Sequence, residues 1–255
     1  MTDGFFIGWA NSVPRGLRLF LVLVSAVMIG AAGGLALAIG STVDDPGNGA
    51  FRFDLGRQEV AGVLVAKPYP YLRVPAGADR TESQAILLSG QGKRGVQGRA
   101  EPLDGQVVEV SGVLLTRGTV DMIQVGGPIG LRASEDEVEP SAASYEPSSP
   151  TPLGKWRLTG EICDGKCYQG AMRPGTGLSH KACANLCIIG GAPPVFVSTA
   201  AVDGETFFLM GEPDDAPLSE WYQDYTGQLV TIEGDVRRVD DLLIFSIDPD
   251  SVDAL

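Results

Sequence analysis

Leu19 to Gly40 (LFLVLVSAVMIGAAGGLALAIG) carries no charged side chain. A helix rising about 1.5 Å per residue over this stretch covers a hydrocarbon core of about 30 Å. A secretory signal has an apolar region of only about 7–15 residues, so 19–40 reads as an uncleaved transmembrane helix behind a leader, 1–18. Beyond it the period drops from helical to two. After a polar, glycine-bearing tether (41–56), short β-branched runs lie between Gly and Pro turns: Gln58 to Ala66, Ala85 to Leu88, Gln106 to Val110, Val113 to Thr116 and Met122 to Val125. The pair Ser111-Gly112 reads as an interruption between two of them. Such a pattern predicts an all-β unit over 57–133. An acidic Pro/Ser stretch, 134–153, reads as a solvated linker with too little apolar surface to order itself. The pattern resumes over 154–255.

The second β stretch repeats the first. LDGQVVEVSGVLLTRGTVDMIQV (Leu103 to Val125) aligns without gaps on YTGQLVTIEGDVRRVDDLLIFSI (Tyr225 to Ile247), with Gly105, Gln106, Val108 and Gly112 meeting Gly227, Gln228, Val230 and Gly234. Upstream, EVAG (Glu59 to Gly62) meets RLTG (Arg157 to Gly160), and ILLSG (Ile86 to Gly90) meets FFLMG (Phe207 to Gly211). The second copy is the longer one between these anchors, and the extra length coincides with a cysteine segment, 161–195. The unit G-x-V-x-V-x-G-x-V followed by a further strand predicts small five-stranded Greek-key barrels of the OB type. The expected fold is therefore mainly β: one N-terminal transmembrane helix and two duplicated OB-like modules, each folding separately, the second with a cysteine-rich helical insertion.

Charge sets orientation and excludes one class of partner. The formal net charge is −13, which argues against nucleic acid, whose phosphates are bound by basic patches. Arg15 and Arg18 precede the apolar span and Asp44 and Asp45 follow it. The positive-inside rule then predicts a cytoplasmic N-terminus and, in a Gram-negative cell, a periplasmic bulk. Within the span Gly30 and Gly34 form G-x-x-x-G, a face on which another helix can pack closely. The aromatics of Gly4 to Trp9 read as an interfacial anchor.

The chemistry collects in the cysteine segment. All four cysteines (Cys163, Cys167, Cys183 and Cys187) and the only histidine, His180, lie within it, spaced C-x-x-x-C, then H-x-x-C-x-x-x-C. Ser179 can cap a short helix, HKACANLCI, on which His180, Cys183 and Cys187 share one face. Three readings stay open. Two disulfides would tie helix to turn, as suits an even count in an oxidising compartment, with Cys183 and Cys187 reaching back to Cys163 and Cys167. Thiolates, with or without His180, would bind zinc, copper or another soft metal. A C-x-x-x-C pair would carry out thiol exchange or handle electrons. A Ser-His-Asp arrangement would have to use His180, which lacks a nucleophile-elbow context. Asp203-Gly204, Asp214-Asp215 and Asp240-Asp241 read as turns, and Asp248 and Asp250 as a solvated end. There is no P-loop and no dinucleotide fingerprint.

The run GEICDGKC…HKACANLC…GGAPPVFV…DGETFFL…LVTIEGDV, from Gly160 to about Val252, resembles a group of exported or membrane-anchored bacterial OB-like proteins with a D-x-x-C…H-x-x-C-x-x-x-C segment. The resemblance implies a fold and a compartment, not an activity. On its pattern Cys167, Cys183 and Cys187 are the recurrent cysteines, Cys163 falls at a variable position and Gly165 replaces a serine. It thereby favours a metal set of Cys167, His180, Cys183 and Cys187.

Two functional classes follow. One is a non-enzymatic accessory subunit, held in the inner membrane and presenting its β modules to a membrane or periplasmic protein, for which an acidic surface favours a basic partner. The other is a metal-binding (zinc, copper or iron) or thiol-redox protein working at the cysteine and histidine cluster.

Overall fold

The computed structural model describes residues 13–42, 49–77, 81–134, 145–172 and 175–255, in two compact units divided after Asp45. The aromatic leader, Asp44 and Asp45, and the middle of the acidic linker lie outside the described residues. The first unit is one helix, α1 (Arg15–Thr42), apolar and long enough to cross a membrane. Its side chains are exposed throughout Arg15 to Ser41.

The second unit holds two barrels. In the first, β2 (Gln58–Val65), β3 (Tyr71–Val74), β4 (Gln84–Ser89), β5 (Val107–Arg117) and β6 (Val120–Val125) run β5-β2-β3-β4-β6, and β6 closes back on β5. Short strands β1 (Ala50–Phe51) and β7 (Leu131–Ala133) add to β5, and a one-turn helix, α2 (Gln97–Ala100), lies between β4 and β5. In the second, β8 (Thr151–Asp164), β9 (Pro194–Val202), β10 (Glu205–Gly211), β11 (Leu229–Val239) and β12 (Leu242–Ile247) repeat the order, and β13 (Asp253–Ala254) pairs with β11. In each barrel the third and fifth strands are parallel and the other pairings antiparallel. That is the closed five-stranded Greek key expected from the sequence.

The repeat predicts equivalent strands, and Ser111-Gly112 does not interrupt one of them. β5 runs straight through, as β11 does through Gly234. A Cβ at either glycine would overlap a carbonyl oxygen of the closing strand, Gln124 or Ser246. The glycines therefore permit a close approach of strands rather than a turn. Upstream, pairing puts Leu87 opposite Met122 and Leu209 opposite Ile244. Since Met122 and Ile244 are equivalent, so are Leu87 and Leu209, and the match of ILLSG to FFLMG is one residue out of register. A one-residue slip exchanges the two faces of a strand, and here both faces are apolar, so composition alone cannot detect it.

The two-faced strands also join the two modules through a further core. Ile86, Leu88 and Ile123 fill the first barrel, and Ile162, Phe208, Met210 and Phe245 the second. The alternate residues point outward, where Tyr71, Leu87 and Met122 pack against Cys163, Val195, Phe207, Leu209 and Ile244 in a third buried core shared by both barrels. A bidentate ion pair crosses the same seam, from Arg73 Nε and Nη2 to Asp240 at 2.7 and 2.8 Å.

Candidate metal centre

The first connection of each barrel differs. In the first, 66–70 joins β2 to β3. In the second, 165–193 joins β8 to β9 through a π-helical turn, Cys167–Ala171, and helix α3 (Lys181–Ile189). Alternation along β8 decides where its cysteine goes. Ile162 faces the barrel interior, so Cys163 faces out into the shared core. Its Sγ lies 3.2 Å from Glu161 Oε1. Burial, with Glu161 adding to it, pushes this thiol well above its ordinary pKa. Cys167, Cys183 and Cys187 gather in a different cluster with Ala192. The expectation that all four sulfurs meet is thus corrected to three, because Cys163, one past Ile162, lies on the opposite face of β8 and points into the shared core.

The three are held close. Cys167 Sγ stands 4.0 Å from Cys183 Sγ and 3.9 Å from Cys187 Sγ. All four cysteines are free thiols, and these separations are about twice the S–S bond of about 2.05 Å. A ring nitrogen of His180 joins Cys167 and Cys183 with all three donor atoms within 4.8 Å of one another, and an oxygen of Asp164 does the same with Cys167 and Cys187. Gly30 and Gly34, expected from the sequence as a helix-packing face of α1, meet nothing within 4 Å of a Cβ.

Asp164 organises the turn. Its Oδ1 accepts the Cys167 N–H at 2.8 Å, the geometry of a helix N-cap three residues ahead. Its Oδ2 meets His180 Nε2 at 2.9 Å, both groups being buried. With Nε2 so engaged, Nδ1 is the nitrogen left for a metal, and a carboxylate on the opposite nitrogen is the usual support for a metal-bound imidazole. His180 stands just before α3 rather than inside it, and Ser179 makes no cap there.

Two lysines balance the sulfurs. Lys93, from the loop after β4, crosses the seam and donates to Cys183 Sγ at 2.7 Å, to the Cys183 carbonyl at 3.3 Å and to Cys187 Sγ at 3.6 Å. Lys166 is buried and donates to the Gly90 and Gly92 carbonyls, each at 2.7 Å. The hydrogen bond between Cys187 and Cys167 draws the Cys187 thiol down to about 7 against the cost of burial, with Lys93 assisting. The same bond, with burial, pushes Cys167 up. The bond to Cys183 raises Lys93, whereas burial lowers Lys166.

Sequence reasoning missed Lys93, Lys166 and the role of Asp164. The run D-G-K-C carried a signal for Asp164, since an acid three residues before a backbone N–H is a capping pattern. Lys93 carried none, because its partners are some ninety residues away. No protein-family model, curated protein or solved structure matches the chain.

Proposed function

We propose that this protein is a membrane-anchored, exported accessory protein whose second barrel binds a soft transition-metal ion through Cys167, Cys183, Cys187 and the Nδ1 of His180. One observation carries the reading: Cys167 Sγ lies 4.0 Å from Cys183 Sγ and 3.9 Å from Cys187 Sγ, and a ring nitrogen of the sole imidazole lies within 4.8 Å of Cys167 and Cys183. A tetrahedral ion with metal–sulfur bonds of about 2.3 Å has sulfur–sulfur edges of about 3.8 Å, beside the 3.9 and 4.0 Å found. Three thiolates and a neutral imidazole around a divalent ion leave one negative charge, which the Lys93 ammonium offsets. The ion's role on this reading is to hold the 165–193 connection and α3 in place; no open coordination position argues for catalysis.

The anchor and compartment belong to the same proposal. α1 is long enough to span, and Arg15 and Arg18 orient it with the barrels outside the cytoplasm. Asp3, Arg15 and Arg18 contribute +1 of the total −13, leaving −14 beyond the helix, a field suited to a basic membrane or periplasmic partner. The face of the second and third strands, by which OB barrels take oligonucleotides, is covered in each barrel by the other, and this supports a protein partner over nucleic acid.

Metal analysis of the full chain purified in detergent without chelator tests the centre. We expect about one ion per chain, lost in Cys167→Ser and Cys187→Ser and kept in Cys163→Ser. Asp164→Asn should weaken affinity roughly 10–100-fold. Metal-free protein carrying disulfides among Cys167, Cys183 and Cys187 would refute it.

A further inference from the structure

The loop after β4, Gly90 to Gly95 (GQGKRG), lines a cavity of about 620 Å³ with Arg99 and Gly127. No acid lines it, although the chain is strongly acidic. The larger cavity at the seam, about 950 Å³, is edged by Glu82, Glu146, Glu205, Asp240 and Asp241. Arg94 makes no side-chain hydrogen bond or ion pair among the described residues, and Arg99 spends one donor, Nη1, on the Gly127 carbonyl at 2.6 Å. A guanidinium has five donors in a fork that fits a tetrahedral oxyanion.

The backbone adds to this. Lys166 pulls the Gly90 and Gly92 carbonyls to its own side. A peptide is planar and trans, so the N–H groups of Gln91 and Lys93, in the same planes, point the opposite way. Neither has an acceptor among the described residues, nor does that of Gly92. Gly92 supplies the left-handed residue (φ +61°) that such a turn needs. Successive outward N–H groups over a buried ammonium make an anion-binding concavity. The loop is also fixed: Gly95 N–H donates to the Gly190 carbonyl at 2.8 Å and Gln97 to that of Gly191 at 2.8 Å.

We propose that this loop, through its outward backbone N–H groups and with Arg94 and Arg99, binds a phosphate group. It does not depend on the metal reading. The group has two sources, a free phosphate or the headgroup of an anionic phospholipid. The test uses the full chain in phosphatidylcholine nanodiscs at constant ionic strength, titrated calorimetrically with inorganic phosphate. Saturable binding is expected, weakened about tenfold or more by Arg94→Glu and by Arg99→Gln, as for loss of a charged hydrogen bond. Metal content, read on the same samples, should be unchanged. A lipid source shows instead as slowed amide exchange at Gly90 to Gly95 in phosphatidylglycerol nanodiscs, present in the native chain and absent in Arg94→Glu. No saturable phosphate binding together with no Arg94-dependent protection overturns the proposal. Arg94 is exposed, so its replacement leaves the fold intact, and unchanged thermal unfolding verifies this.

Discussion

Replacing Arg73 with Met should cost about 3–5 kcal/mol. Arg73 and Asp240 are 7% and 0% exposed at the seam. The carboxylate accepts two guanidinium bonds and two hydroxyl bonds, from Ser83 at 2.9 Å and Tyr145 at 3.2 Å. Arg73 also donates to the Ser148 carbonyl at 3.0 Å. Removing the cation leaves a buried carboxylate with the hydroxyls alone, the situation in which breaking an ion pair costs most. At about 2–4 °C per kcal/mol for a domain of this size, the midpoint should fall by roughly 6–20 °C. Because the barrels share one core, the loss should appear as a shift of a single cooperative transition. The pH profile carries a second signature. Burial opposes ionisation of Asp240, but the bonds from Arg73 and Ser83 outweigh it and hold its pKa below the ordinary value. A lowered folded pKa stabilises above the unfolded value, about 3.9, and that contribution is lost as pH falls through the folded value. This acid-side loss should shrink in Arg73→Met. The double variant Arg73→Met/Asp240→Asn should recover part of the stability, since Asn tolerates the positive φ there. Urea unfolding of the full chain in detergent gives the four corners of the cycle. A cost under about 1 kcal/mol for Arg73→Met, or a double variant no better than the single, refutes the reasoning.

Three further outcomes are expected. Alkaline phosphatase fused after Leu255 should be active and a fluorescent protein exported unfolded at the same point dark; the opposite pair reverses the topology. A chain cut at a protease site placed within 135–144 should elute as one species without denaturant, because the shared core holds the halves; separate elution contradicts that core. Burial pushes Asp241 up to about 6, against the bond it accepts from Ala85 N–H. A raised folded pKa gives a contribution complete below about 3.9 and lost as pH rises through about 6. Asp241→Asn keeps the acceptor and should gain stability over the native chain at pH 8 but not at pH 4, by urea midpoint; equal gains at both would show that burial of the charge is not the cause.

The architecture was legible because duplication prints the same pattern twice. Gly105 and Gly227 both take φ +73°, and one spacing carries β5 onto β11 and β6 onto β12. The same alternation was ambiguous where both faces are apolar, in β4 and β10, and there the register slipped by one. β3 was missed because YLRV sits close between prolines with an arginine in its middle. That arginine belongs to the seam, and nothing local reveals a partner some 167 positions away. The cysteine segment was legible as a concentration of donors, and the turn residues Asp203, Asp214 and Asp240 do take positive φ. Which sulfurs meet was not legible, since it depends on the face of β8 that Cys163 occupies, and on whether that face is solvent or a second barrel.

The seam then explains why the cysteine connection needs both barrels. Facing strands of the two barrels leave only their ends free, and the 165–193 connection lies over the end of β4, where Lys166 holds Gly90 and Gly92 and Lys93 reaches back to Cys183 and Cys187. Gly190 and Gly95 let the two backbones interlock, since a Cβ at Gly190 would overlap the Lys93 carbonyl and one at Gly95 the Gly191 carbonyl. Two sulfurs of the second barrel thus lie against an ammonium of the first. Anything that favours the thiolate form of the cluster, a bound ion above all, favours the loop of the first barrel in its docked position by the same free energy. On the reading proposed above, an ion held by the second barrel with Lys93 of the first beside its sulfurs couples occupancy to the joining of the two barrels.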